Sequence, residues 1–191
     1  MKIEPPGAFL DHFFKQTREH HVQLSSQADY KAQMMMTVSS LVVTMSAGYL
    51  KEPVLQWAAL AMILFCCMSI LCAILAVMPR LPRRLPAGTR IEAGGPGFNI
   101  LFFGSFISLS YEDYMKEMER VCKDPNQVFE AMCKELYGLG VFLAKTKYRY
   151  LRWSYQCFLA GMFSSVIIVI VTEILSLLGH PVATFFVPGT R

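Results

Sequence analysis

Charge is what this sequence has least of. Of its 191 residues only 17% are Asp, Glu, Lys or Arg, against 54% hydrophobic, and the mean hydropathy is +0.39. Ordinary globular domains carry about 25% charged residues, so the chain is short of the groups that keep a surface wet. The metal and redox patterns are missing as well. Six cysteines occur (Cys66, Cys67, Cys72, Cys122, Cys133, Cys157), but they form no C-x-x-C pair and no histidines stand at ligand spacing. Neither a zinc site nor a disulfide scaffold is expected, and the thiols read as small buried hydrophobes in a chain facing a reducing compartment. A GxGxxG after a strand, a P-loop, G-x-S-x-G and H-E-x-x-H are all lacking. GGPGF (94–98) reads as a linker, and His20-His21 as a surface pair with no carboxylate or thiol at ligand spacing. No metal, cofactor or enzymatic activity is expected. The opening MKIEPPGAFLDHFFKQTREHHVQL has no apolar core between its charges, so it is not expected to be a cleaved signal peptide.

Long apolar runs are what the chain has instead. VLQWAALAMILFCCMSILCAILAVM (54–78) carries no charge and is long enough to cross a hydrocarbon core of about 30 Å as a helix. CFLAGMFSSVIIVIVTEILSLL (157–178) is interrupted by Glu173 alone and is preceded by Arg152, Trp153 and Tyr155, as an interfacial belt would be. QADYKAQMMMTVSSLVVTM opens a third run, 34–50, which is shorter and more polar. Alone it is marginal against the usual ~20 residues. The linker Lys51-Glu52-Pro53 is too short to form a domain, so 34–50 and 54–78 read as a helical hairpin whose second arm carries the first across. The expected fold is an all-α membrane protein with three transmembrane helices, a hairpin plus a C-terminal span, and a helical cytoplasmic region between spans two and three. Its expected parts are an amphipathic cytoplasmic helix (8–33), spans at 34–50, 54–78 and 157–178, the cytoplasmic region 79–156 and a short outer tail (179–191).

Orientation follows from Lys and Arg. Lys15, Arg18 and Lys31 precede the first span, Arg80, Arg83, Arg84 and Arg90 follow the second, and Lys145, Lys147, Arg149 and Arg152 precede the third. The opposite side keeps Lys51 and Arg191, so the N-terminus and the middle region are expected in the cytoplasm. There, NILFFGSF reads as a short strand or turn, Ser110 with Glu112 and Asp113 as a helix start, and Asp124-Pro125 as another. The helix from Pro125 is expected to run into the last span despite Gly138 and Gly140.

Two patterns could carry function. Thr37, Ser40, Thr44 and Gly48 share one face of the first span, either lining a narrow wet pore or packing tightly against other helices. Glu173 could ring a pore mouth or simply reach water. Arg80, Arg83, Arg84 and Arg90 could hold an anionic nucleotide or oligonucleotide, with Phe98, Phe102 or Phe103 stacking a base, or could face anionic lipid headgroups. Asp29 and Lys31, two positions apart and so on different helix faces, are expected to contact other helices or subunits at the membrane boundary, as are Lys147 and Arg149.

QADYKA leading into the first span, NILFFG after the hairpin, DPNQVFEAMCKELYGLG, and LAKTKYRYLRWSYQCFLAGM running into the last span together resemble the transmembrane effector domain of Pycsar anti-phage systems, from about Phe13 to Leu178. The resemblance implies an inner-membrane effector paired with a nucleotide-synthesising enzyme, perturbing the membrane so that the infected cell stops growing or dies. Pycsar effectors usually carry a fused cyclic-nucleotide-binding domain, and no stretch here is long enough for one. Either a separate protein senses the signal, or this chain binds its ligand directly; in the latter case it resembles standalone effectors of the Hailong type, in which a nucleic-acid oligomer restrains a channel and its removal opens it. Three helices are too few to enclose a pore, so a homo-oligomer is expected, a tetramer, gated by a nucleotide or oligonucleotide made by a partner nucleotidyltransferase. The alternative is a non-channel membrane anchor or accessory subunit for a partner enzyme.

Overall fold

The computed structural model describes residues 8–79, 98–107 and 109–179, which form helices and turns with no strand among them. They fall into two compact units. A polar unit draws on Met1–Ser25 and Pro79–Ala144, and an apolar unit on Ser26–Met78 and Lys145–Arg191. Two long helical runs contribute to both: α1 (Ala8–Gly48) and a continuous run from Pro125 to Leu177. The length of α1 has a simple cause, since no Pro or Gly occurs in it before Gly48. A 3₁₀ turn, Tyr49–Lys51, and then Pro53 end it, and the Glu52 carbonyl accepts the Gln56 N–H at 2.9 Å to start α2 (Gln56–Val77). Pro79 stops α2 in turn.

In the apolar unit the covered positions of α2 recur every three or four residues, at Gln56, Ala59, Met62, Cys66, Ser69, Ala73 and Ala76. Those of α1 are Ala28, Ala32, Met35 and Ser39, and those of α6 (Tyr148–Leu177) are Leu151, Ser154, Gly161 and Thr172. Most are small, which lets helices approach closely where lipid offers no hydrophobic force between them. Ala28, Ala32, Ala73, Ala76 and Leu151 form one core cluster. Outside these seams, α2 and α6 show bulky apolar side chains to their surroundings, Leu64, Leu71, Phe163 and Ile167 among them. Only 33% of the most apolar stretch of α2 and 11% of that in the Pro125–Leu177 run is buried. A soluble core helix would be covered, so these two helices, the two among the described residues that are long and apolar enough, are candidate membrane-spanning helices. The expected first span, 34–50, is helical as the end of α1 and the following turn, but α1 falls short of that apolarity.

The polar unit contains α3 (Phe103–Phe106), α4 (Tyr111–Cys122) and α5 (Pro125–Phe142). Ser110 caps α4 by accepting the Asp113 N–H at 3.1 Å, and Asp124 caps α5 by accepting the Asn126 N–H at 2.9 Å, with Pro125 at the first helical position. Phe98, Ile100, Val121 and Ala131 make its core. The N-terminal half of α1 joins through Phe14 stacked on Phe129 at 5.8 Å and Arg18 paired with Glu135 at 2.9 Å. NILFFGSF forms a turn and one turn of helix, not a strand. Asn99 directs this by accepting the Leu101 N–H with its side chain and the Phe102 N–H with its carbonyl. Gly138 and Gly140 stay inside α5, each costing about 1 kcal/mol relative to alanine, without breaking it. A π-helical turn, Leu143–Lys147, joins α5 to α6.

Gly161 shows how close the apolar helices come. A Cβ there would lie 2.7 Å from Phe65 Cβ, whereas one at Gly138 meets nothing within 4 Å. Gly161→Ala is expected to destabilise the protein by about 1–3 kcal/mol through overpacking. Gly138→Ala should be neutral or stabilise by up to about 1 kcal/mol. Thermal unfolding in detergent reads both, and equal behaviour of the two variants would refute the close contact.

Candidate functional site

The apolar unit holds its polar chemistry in two places. Inside, the hydroxyls of Ser39, Ser69 and Ser154 meet, each fully buried and each on a different helix. Ser39 Oγ donates to Ser69 Oγ at 3.4 Å, and Ser69 Oγ lies 2.8 Å from the Ser154 carbonyl and 2.9 Å from Ser154 Oγ. The second place is at the start of α6. Lys147 Nζ bridges both carboxylate oxygens of Asp29 at 2.7 Å, with the lysine side chain 12% exposed and the aspartate 37%. The π turn ends on Lys147, and such turns recur where a helix must re-aim a side chain at a functional position. One residue pair further, Arg149 lies over Tyr150 and Trp153, 5.4 and 5.3 Å from their centroids, and these two rings meet edge to face. A cation on an aromatic pair suits a membrane–water boundary.

Thr37, Ser40, Thr44 and Gly48 are all exposed on α1, on the side away from the Ala28, Ala32, Met35 and Ser39 seam. Thr37 and Thr44 donate to the carbonyls of Gln33 and Ser40, one turn back. Glu173 and Lys31 are exposed. The structure therefore brings Asp29 together with Lys147, leaves Lys31 on another face, and leaves the Thr37–Gly48 stripe uncovered. Arg80, Arg83, Arg84 and Arg90 lie outside the described residues, as does the tail beyond Gly179. Phe102 is half exposed against Phe103, with centroids 5.1 Å apart.

The polar unit contains a cavity of about 300 Å³ that sequence reasoning did not foresee. Its floor includes Phe98, Ile100 and Val121, and its polar wall Glu117, Arg120 and Gln127. Arg120 donates to both oxygens of Glu117, one of them at 2.9 Å, and to Gln127 at 2.7 Å, so it ties α4 to α5. These hydrogen bonds hold the Glu117 carboxyl below its usual value, burial opposing them, and hold the Arg120 guanidinium above its own. The alternation Glu117-x-x-Arg120 was the sequence signal, being an i,i+3 pair on a helix. The wall's cations are already matched by carboxylates, Arg120 by Glu117 and Lys134 by Glu130 at 2.9 Å, so it is a poor phosphate cradle.

Close-packed apolar helices with a bulky, uncovered exterior, continuous with a charge-paired helical unit, define an integral membrane protein of the helical class. The particular family follows from comparison: a family model described as the Pycsar effector protein domain matches residues 12–174, and the chain belongs to that family. It is on that ground a membrane effector of anti-phage defence. No curated protein and no solved structure matches the chain.

Two predictions follow from these pairs. Removing one partner of the Asp29–Lys147 bridge takes from the other, partly buried charge its ion-pair counterpart, at a cost of about 1–3 kcal/mol. Asp29→Asn and Lys147→Met should each lower the unfolding temperature, with the exchanged pair Asp29→Lys, Lys147→Asp recovering part of the loss; additive losses in that double variant would exclude the pairing. For Glu117, the folded-state value lies below the unfolded one of about 4.3. Its contribution is thus present at neutral pH and lost as pH falls through the depressed folded value. Glu117→Gln should lower stability at pH 7 and flatten the acid limb of the stability profile, and a limb parallel to the parent's would count against it.

Proposed function

We propose that this effector assembles into an oligomeric channel in the bacterial inner membrane, gated by a nucleotide or oligonucleotide from a partner nucleotidyltransferase, and that opening depolarises the cell and arrests its growth. The observation carrying this reading is the uncovered stripe Thr37, Ser40, Thr44 and Gly48 on α1. A monomer that buries small residues on one side of α1 and leaves hydroxyls on the other has a polar face to offer to neighbouring copies or to water. The end of α1 then forms the first of three spans, taken across by its short connection to α2. Glu173, exposed toward the far end of α6, stands where a carboxylate ring would meet permeating cations. Lys and Arg placement sets the polar unit in the cytoplasm, where the signal is made. The ligand acts by binding one gating state better than the other, and no chemical step on it is required.

A second reading is favoured by one observation. Thr37 and Thr44 satisfy their hydroxyl protons on their own helix, so the stripe can face lipid, and the chain would then be a non-channel anchor or accessory subunit for a partner enzyme. Ion flux from liposomes containing the purified protein separates the two. The channel reading expects flux that responds to ligand and that Thr44→Leu reduces several-fold, with Val38→Leu on a neighbouring face as a near-neutral control. Absence of flux under every ligand condition would leave the anchor.

A further inference from the structure

We propose that Leu101–Ile107 is an interfacial anchor that seats the polar unit on a leaflet of anionic phospholipid. The segment is a rigid knuckle with a buried base and an apolar crown. At its base, Phe98 and Ile100 are 5% and 3% exposed and pack with Val121 and Ala131. Asn99 accepts the Leu101 N–H at 3.0 Å and the Phe102 N–H at 3.1 Å, Phe102 accepts the Ser105 N–H at 2.8 Å, and Phe103 accepts the Ile107 N–H at 3.0 Å. Much of the backbone is thus hydrogen-bonded locally, as a segment entering an acyl boundary requires. At its crown, Leu101, Phe102, Phe103 and Ile107 are 38%, 47%, 50% and 68% exposed. No charged residue occurs from Ala93 to Tyr111.

Such a crown on a polar unit marks an interaction site, and two facts select the bilayer as its occupant. The first is tethering. The chain passes between the polar and apolar units at residues 25–26, 78–79 and 144–145, two of these crossings lying within continuous helical runs. The apolar unit is embedded, so a leaflet is always available to the crown at high effective concentration. The second is charge. Between Pro79 and Phe98 the sequence holds four arginines, Arg80, Arg83, Arg84 and Arg90, against the single carboxylate of Glu92, the sign that anionic headgroups attract. A second copy is a weaker fit, because four partly exposed side chains fall well short of the roughly 800 Å² per partner of a stable dimer. This assignment gives Phe102 to lipid, one of the two roles its sequence allows, and it holds whether or not the assembly conducts.

The test places tryptophan at the crown of the full chain. Phe103→Trp and, independently, Ile107→Trp are made in a Trp57→Phe, Trp153→Phe background and reconstituted in vesicles of phosphatidylethanolamine and phosphatidylglycerol. Both reporters are expected to emit at shorter wavelength than a water-exposed tryptophan. Lipids brominated high on the acyl chain should quench them, and they should resist aqueous acrylamide. Tyr137→Trp, at an exposed position of α5, should show the reverse. Replacing phosphatidylglycerol with phosphatidylcholine should weaken the bromolipid quenching. Crown tryptophans that acrylamide reaches freely overturn the proposal. So do crown tryptophans that are shielded from acrylamide but blind to bromolipid, the signature of a second copy or another protein. Quenching at Tyr137→Trp equal to that at the crown, or quenching unchanged without anionic lipid, overturns it as well.

Discussion

In a bilayer no hydrophobic force draws one helix onto another, so the helices must be held by close approach and by polar contacts that water cannot replace. The structure depends on that constraint at the meeting of Ser39, Ser69 and Ser154. Three hydroxyls, one per helix, satisfy one another where an unpaired polar group would be costly, and being small they let the backbones come near. The alanines at 28, 32, 73 and 76 extend the same seam toward the Asp29–Lys147 bridge. Gly161 against Phe65 extends it along α6 in the other direction. The consequence is an inverted arrangement: small and polar residues inside, Leu, Ile and Phe outside.

That inversion explains which parts of the fold were legible in the sequence. The runs 54–78 and 157–178 could be read because their exteriors are bulky and, Glu173 apart, free of charge, and composition reports exteriors well. The helix starts at Ser110 and Asp124 could be read because capping is local chemistry within three residues. The segment 34–50 gave a weaker signal, since its serines and threonines lower its apolarity, and of these Ser39 is the one buried in the seam. Ser69 had a signal that went unused: it is the sole hydroxyl in 54–78, and a lone hydroxyl in such a run calls for a partner.

Other features were not legible, for physical reasons. Asp29 and Lys147 stand 118 positions apart, and nothing in either neighbourhood names the other; their charges alone could only announce a boundary. The π turn at LAKTK contains no proline or glycine, so no breaker marks it. It arises where the run passes from the polar to the apolar unit and Lys147 is drawn to Asp29. NILFFGSF could be read as a strand or a turn, and the side chain of Asn99 decides for the turn by accepting the backbone N–H two residues on. In each case a contact decided between options that local propensity left nearly equal.

The same contacts bear on how a signal could reach the membrane in the proposed channel. The helices that build the polar unit are, by covalent continuity, those that run on into the apolar one: α1 without a break, and α5 through the π turn into α6. A straight α-helix transmits displacement and rotation along its axis, whereas a π turn stores one extra residue in a turn and can release it with little loss of hydrogen bonding. Of the two connections only the second has such an adjustable element, and Lys147 at its end pairs with Asp29. Rotation of α6 would break the contacts of Ser154 with Ser69 as well as the Asp29–Lys147 bridge. Gating by movement of α1 would have to carry the hydroxyl stripe with it while breaking the Ser39–Ser69 contact. Either motion strains the Asp29–Lys147 bridge, which joins α1 to α6, and breaks one side of the serine cluster, so in the proposed channel neither helix moves without contacts of the other yielding.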